Sequence, residues 1–331
     1  MAQMKYFYEL TISSSPHVHS KTTTQTIMRD VLIALLPALI GSVVFFGFRS
    51  LLVTLVSASA CVFFEWAWCK LRKIPCKTYD LSAVVTGVLL AFVCPVTIPY
   101  WTIILGDFFA IIVVKMLFGG LGRNIVNPAL AGRAFMFSWP VLMSTWVKVG
   151  FENAAGLLST ADAVTAATPL AALHQGQMCE EPISALFWGN VGGCIGETSA
   201  ALLLVGFAYL LARKVITVRI PLSYIGTVAV ITFLFPMGNA PIDWMLAQIF
   251  GGGLMLGAIF MATDYVTSPL TKLGQIVYGI GCGVITVLIR YFGGYNEGVS
   301  YAILCMNCCV VLLDRIGRPV KFGAPKKEAA K

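Results

Sequence analysis

Residues 162–170, DAVTAATPL, are the stretch whose side chains and spacing offer covalent chemistry. Thr168 carries a hydroxyl, and Pro169 after it pushes Thr168 away from helix toward an extended conformation, so that it stands on a turn. Ala166 and Ala167 leave that hydroxyl unobstructed. Asp162 and Thr165 supply oxygens that can hydrogen-bond a phosphate-bearing donor or its metal. From the residues alone the stretch is either a nucleophile held on a turn or a small-residue linker between apolar segments.

The elements that must position it are membrane helices. Of the 331 residues 58% are apolar and 11% are charged, against about 25% charged in ordinary globular chains. A span takes about twenty apolar residues, and this ruler predicts ten spans. They cover residues 31–47, 51–68, 81–96, 101–118, 130–147, 186–212, 220–236, 244–262, 273–289 and 299–313. The first thirty residues lack the short apolar core of a secretory signal and are expected to remain in the protein. With both termini cytoplasmic, all of the 23 basic residues except Arg49, Lys148 and Arg290 fall on the cytoplasmic side, as the positive-inside rule requires. The net charge of +8 is therefore read as topology and not as a nucleic-acid footprint.

Ten spans with a long polar interval after the fifth divide into five and five. The second half would then be inserted upside down relative to the first, the inverted-repeat plan of many transporters. Phe118-Gly119-Gly120 and Phe250-Gly251-Gly252, each followed by Asn127-Pro128 or Ser268-Pro269, echo that symmetry. The predicted fold is an all-α integral membrane protein in five parts. These are a cytoplasmic segment (1–30), a first five-helix repeat (31–147), an extracytoplasmic loop (148–185), a second repeat (186–314) and a basic cytoplasmic tail (315–331).

Ionisable residues at membrane depth are costly and tend to be functional. Asp107, Glu197 and Asp264 are the candidates for an ion route. Glu65 lies near a span end, where it can snorkel toward Lys70. In residues 119–129, GGLGRNIVNPA, the glycines and the amides of Asn124 and Asn127 would let a flat ligand approach the backbone, or would simply end a broken helix. The ten cysteines show no metal-ligand spacing and no metal site is expected; the histidines lie outside the spans, which argues against a membrane haem.

Asp162, Thr165, Ala167 and Thr168 form the pattern Asp-x-x-Thr-x-Ala-Thr, which resembles the flavinylation motif read by an exported flavin transferase. Further matches run through Ser15-Pro16-His17, Arg29-Asp30-Val31, Gly119 to Ala129, Gly196-Glu197-Thr198-Ser199, Met261-Ala262-Thr263-Asp264 and Asp314-Arg315-Ile316-Gly317-Arg318-Pro319. Together they resemble the D subunits of Rnf electron-transport complexes and their siblings, the B subunits of sodium-pumping NADH:quinone reductases. The resemblance implies FMN joined to Thr168 through a phosphodiester and a riboflavin near Asn124 and Asn127. It implies a subunit, not active by itself, that relays electrons between ferredoxin and NAD with coupled Na+ or H+ movement. The implied partners are the A, B, C, E and G subunits of an Rnf complex and the flavin transferase, and the implied location is a bacterial inner membrane. The rival reading is a redox-silent transporter or channel, which the inverted plan and midspan acids also fit. Single cysteines placed through residues 150–180 are expected to react with an impermeant maleimide added to intact cells; protection of the whole loop would overturn the charge argument.

Overall fold

Large apolar side chains cover the outside of this fold as well as filling its core. The computed structural model, which describes residues 22–75, 78–147, 165–166 (backbone only), 168–179, 181–238 and 240–317, buries many polar side chains among the apolar ones and leaves many large apolar side chains exposed. Helix α1 (Thr24–Phe46) exposes Ile33, Leu36, Ile40 and Val44 at helical spacing while burying Ser42. Helix α2 (Phe48–Arg72) exposes Leu55, Phe63 and Trp66, and buries Ser50, Thr54, Ser57, Cys61, Glu65 and Cys69 on its other face. Only a lipid environment makes that arrangement favourable, since exposed apolar surface there costs nothing and polar groups must pair internally.

After α2 the helices shorten and break. Helix α3 (Ser82–Phe92) stops at Val93, and an irregular segment leads to α4 (Tyr100–Phe108), which continues as a π-helical segment, Phe109–Met116. Arg49 supports the break from the start of α2: Nε donates to the Val96 carbonyl at 2.8 Å and Nη2 to that of Ile98 at 3.1 Å. Then come α5 (Pro128–Met136), short α6 (Pro140–Met143), and the two-residue strands β1 (Trp146–Val147) and β2 (Thr165–Ala166), paired antiparallel. Short α7 (Pro169–His174) and α8 (Ile183–Trp188) follow.

The second half holds α9 (Ala200–Ala212), α10 (Arg219–Leu234), α11 (Pro241–Phe250), short α12 (Leu254–Leu256) with a π-helical extension (Gly257–Met261), α13 (Lys272–Phe292) and α14 (Val299–Leu313). Gly279 and Gly283, one turn apart on α13, press against Ser223 and Thr227 of α10, the small-residue contact by which membrane helices approach closely. Tyr224 and Thr286 hydrogen-bond across the same interface at 2.6 Å. Asp30 of α1 reaches Arg213, just past α9, at 3.2 Å.

By length and apolar character, α1, α2 and α13 can each cross a membrane alone. The α11–α12 pair, bent by 63° at Gly251–Gly253, adds a fourth if counted as one broken span. Several spans expected from hydropathy are interrupted. Residues 186–212 split into α8, an irregular stretch and α9, while 130–147 shrink to α5, α6 and a strand. Hydropathy registers apolar content, whereas Gly189, Gly192, Gly193 and Pro140 break the helix within it.

Five charge assignments change as well. Glu65 does not snorkel toward Lys70: it is buried and pairs with Lys115 at 2.8 Å, whose ammonium also donates to Ser82 Oγ at 2.7 Å. Lys115 and Arg133, read from sequence as cytoplasmic loop charges, and Arg49 and Arg290, read as charges on the opposite side, are each 2% exposed inside the bundle. Losing one member of a buried pair strands the other. Lys115→Met alone is therefore expected to cost about 3–5 kcal/mol in thermal unfolding of the purified protein, and Lys115→Met with Glu65→Leu to recover most of it. Equal losses in the single and double variants would show the pair to be uncoupled.

Candidate functional site

Three helix breaks meet at one place. Ile195 N–H donates to the Cys94 carbonyl at 3.0 Å and Gly196 N–H to that of Phe92 at 2.9 Å, joining the break after α3 to the irregular stretch before α9. Gly251–Gly253, the break between α11 and α12, closes the group. Arg133 of α5 lies at its centre: Nη1 donates to Glu197 Oε1 at 3.3 Å and to Ser300 Oγ at 2.9 Å, and Nη2 to Glu297 Oε2 at 2.5 Å. The second oxygen of Glu297 accepts from Gly253 N–H at 2.8 Å. A second buried cation, Arg290, donates to the Gln248 side chain at 3.0 Å and to the Gly251 carbonyl at 3.3 Å. Two arginines thus stand against two glutamates, a neutral set that low-dielectric surroundings tolerate.

Cys194 Sγ and the Glu197 and Glu297 carboxylates lie within 4.8 Å of one another, a spacing that could hold a cation. The Arg133 guanidinium already sits between the carboxylates and supplies the positive charge there. The sequence singles out Glu197, but Arg133, Arg290 and Glu297 come forward only in the fold. Arginine within or beside an apolar stretch is the signal that could have found them, and a count of loop charges hides it.

Thr168 opens onto this centre. It occupies the N-cap position of α7 with extended backbone (φ −81°, ψ 148°), and Pro169 takes the first helical position. The expected extended conformation before proline is present. With Trp146, Gly192, Gly193, Cys194, Glu197 and Glu297, Thr168 lines a narrow cavity that is partly open to its surroundings. Thr165 belongs to β2, where its backbone pairs with Val147. Asp162 and Ala167 lie outside the described residues.

Asn124 and Asn127 line a separate cavity with Ser82, Lys115, Phe260 and Asp264. Asn127 caps α5, accepting from Ala129 N–H at 3.0 Å and Leu130 N–H at 3.4 Å, and its Nδ2 donates to the Met261 carbonyl at 3.2 Å. Its amide therefore holds the helix end and the second π segment together. Asn124 Nδ2 donates to the Val126 carbonyl at 3.1 Å. Asp264 turns its own carboxylate onto Thr267 Oγ1 at 3.0 Å and Val266 N–H at 3.5 Å, the local pattern of an Asx turn. Asp107, the third acid of the expected ion route, is fully buried elsewhere, against α2. The structure thus distributes Asp107, Glu197 and Asp264 over three separate places.

Interrupted helices around a buried charge centre, with apolar faces turned outward, define a multi-pass membrane protein. Residues 11–323 match the model of the NQR2, RnfD, RnfE family, and the chain belongs to that family. It is 46% identical over 326 residues to the D subunit of the Na(+)-translocating ferredoxin:NAD(+) oxidoreductase complex of Acetobacterium woodii, covering 97% of this chain and 98% of that one. It is 43% identical over 332 residues to the D subunit of the proton-translocating ferredoxin:NAD(+) oxidoreductase complex of Clostridium ljungdahlii, covering 95% and 96%. The D subunit of the ion-translocating oxidoreductase complex of Aliivibrio salmonicida is 34% identical over 346 residues, with 95% and 99% covered.

Gly253 is the position where the break and the carboxylates are tightest, since a Cβ there would run into both Glu197 and Glu297. Gly253→Ala is expected to lower stability by about 1–3 kcal/mol, as overpacking does, whereas Gly294→Ala, which meets open space, should be near neutral. Indistinguishable unfolding midpoints for the two variants would remove Gly253 from the support of the charge centre.

Proposed function

We propose that this chain is the flavin-carrying D-type membrane subunit of an Rnf complex, an assembly that passes electrons between ferredoxin and NAD and couples them to Na+ or H+ translocation. Family membership and full-length similarity to D subunits support the assembly. The observation that carries the flavin assignment is the position of Thr168, extended at the N-cap of α7 and lining the same cavity as Glu197 and Glu297.

The residues present fit a covalently held FMN. The Thr168 hydroxyl would be the phosphodiester oxygen, Asp162, Thr165 and Ala167 the recognition motif, and an exported flavin transferase the maturing partner. FMN, when attached, supplies one-electron chemistry, and the protein supplies place and electrostatics. Gly192 and Gly193 leave the wall flat enough for a planar ring, and Trp146 offers an aromatic face. Arg133, Glu197 and Glu297 hold a fixed, internally balanced charge distribution beneath it. A riboflavin would meet, in the second cavity, the polar edge formed by Asn124, Lys115 and Asp264. There Asn127 acts through the helix end that it caps.

The proposed arrangement is ten passes in two inverted five-helix halves, both termini cytoplasmic and residues 148–185 extracytoplasmic, in a bacterial inner membrane. The A, B, C, E and G subunits would complete the electron path. Asp107, Glu197 and Asp264 are the acids of this subunit that the transported ion could meet. Two relatives differ in the ion that their names give, so the choice of cation lies in details finer than the shared fold.

Co-expression with a flavin transferase should give a denatured band that fluoresces under ultraviolet light, and Thr168→Val should abolish that fluorescence without reducing the amount of protein in the membrane. A dark wild-type band, or an undiminished signal in the variant, would refute attachment at Thr168.

A further inference from the structure

The buried face of α2 is a file of polar side chains: Ser50, Thr54, Ser57, Cys61, Glu65 and Cys69, each three or four residues from the next and all buried. At one end of it, Glu65 and Cys69 border an open vestibule together with Tyr79 and Asp80. Midway along it, Asp107 of α4 is completely buried. Its Oδ1 lies 2.7 Å from Ser57 Oγ and 3.2 Å from Cys61 Sγ. Ser57 Oγ is also 2.8 Å from the Gly87 carbonyl of α3. Asp107 Oδ2 is buried with no hydrogen-bond partner, and among the described residues no basic side chain forms an ion pair with this carboxyl.

Counting protons decides what this group is. A serine hydroxyl has a single hydrogen, yet Ser57 sits at ordinary O–H···O distance from two oxygens. If Asp107 were ionised, the Ser57 hydroxyl would face two acceptors with one hydrogen, and the charge would be held by Ser57 or the weak Cys61 thiol on Oδ1 alone, with Oδ2 unpaired and no counter-ion, at a cost of several kcal/mol in a dry interior. A proton on Oδ1 resolves both problems. It donates to Ser57 Oγ, which donates in turn to the Gly87 carbonyl, and Oδ2 becomes a neutral carbonyl oxygen. The separations of 2.7 and 2.8 Å are those of hydrogen bonds.

We propose that Asp107 is a proton-binding site within the membrane domain, a neutral carboxylic acid in the chain Asp107 Oδ1–H to Ser57 Oγ–H to Gly87 carbonyl, approached from the vestibule along the polar face of α2. The titratable groups around it are Cys61 of α2, at 3.2 Å, and Cys94 in the break after α3. The Glu65–Lys115 pair acts on Cys61 from the vestibule side. That pair is internally balanced and supplies no counter-ion to Asp107. The change of α4 from α- to π-helical geometry directly after Asp107, at Phe109, widens the turn that joins it to Lys115. Such π segments are frequent at functional sites. The proposal rests on the reading that the assembled complex moves a cation, but its test does not depend on the flavin.

The test uses the purified complex and dicyclohexylcarbodiimide, an apolar reagent that adds to protonated carboxyl groups, with the adduct located by peptide mass spectrometry. At about pH 8 an ordinary aspartate is protonated only about one part in ten thousand, so labelling of Asp107 is expected to exceed that of exposed Asp243 by at least roughly tenfold. Added NaCl should leave it unchanged. Labelling of Asp107 no greater than that of Asp243 would overturn the proposal; so would protection by sodium, the signature of a carboxylate that coordinates a metal cation. Asp107→Asn should remove the adduct and keep the ultraviolet fluorescence of the Thr168 band. A band that is dark in wild type as well counts against the flavin assignment alone and leaves the Asp107 result standing.

Discussion

The pairing of Arg133 with Glu197 and Glu297 is the interaction on which the middle of the molecule depends. Each of the three charges comes from a different part of the chain, and each lies beside a helix break or a helix end. Irregular backbone at membrane depth is tolerated only where protein buries it and satisfies its polar groups. Here the satisfaction comes from ionic side chains: Glu297 takes the Gly253 N–H, Arg290 takes the Gly251 carbonyl, and Arg49 takes those of Val96 and Ile98. Without these contacts the breaks would expose unpaired amides, and without the breaks there would be no room for the charges.

The position of Thr168 follows from that centre. Leu170, two residues along, lies against Gly252, so the turn that presents the hydroxyl is seated on the same break that the charges hold open. The short α7 could not fix that position by itself; the contact of Leu170 with Gly252 anchors it. On the other cavity, Asn127 does the equivalent work, tying the start of α5 to the end of the second π segment through Met261. The two cavities are therefore both built at interruptions of helices.

Much of this is legible in the residues. The outward apolar faces of α1, α2 and α13, the extended backbone at Thr168 and the interruption at Gly251–Gly253 follow from local composition and from the neighbours of proline and glycine. Charge is less legible. Lys115 and Arg133 satisfy a loop-counting rule on paper, yet both are inside, because each has a carboxylate partner that linear spacing does not disclose. Glu65 looks like a residue able to reach water beside Lys70, and its partner instead comes from 50 positions further along.

Sequence by itself determined that the chain resides in lipid and that the backbone before Pro169 is extended, because these are consequences of a residue and its near neighbours. Tertiary structure alone decided which charges meet. Arg133 finds Glu197 at a separation of 64 residues and Glu297 at 164. Asp107 finds Ser57 at 50. In a medium that offers no water to satisfy a stray charge, such distant pairings are fixed by packing, and only the folded chain brings them together.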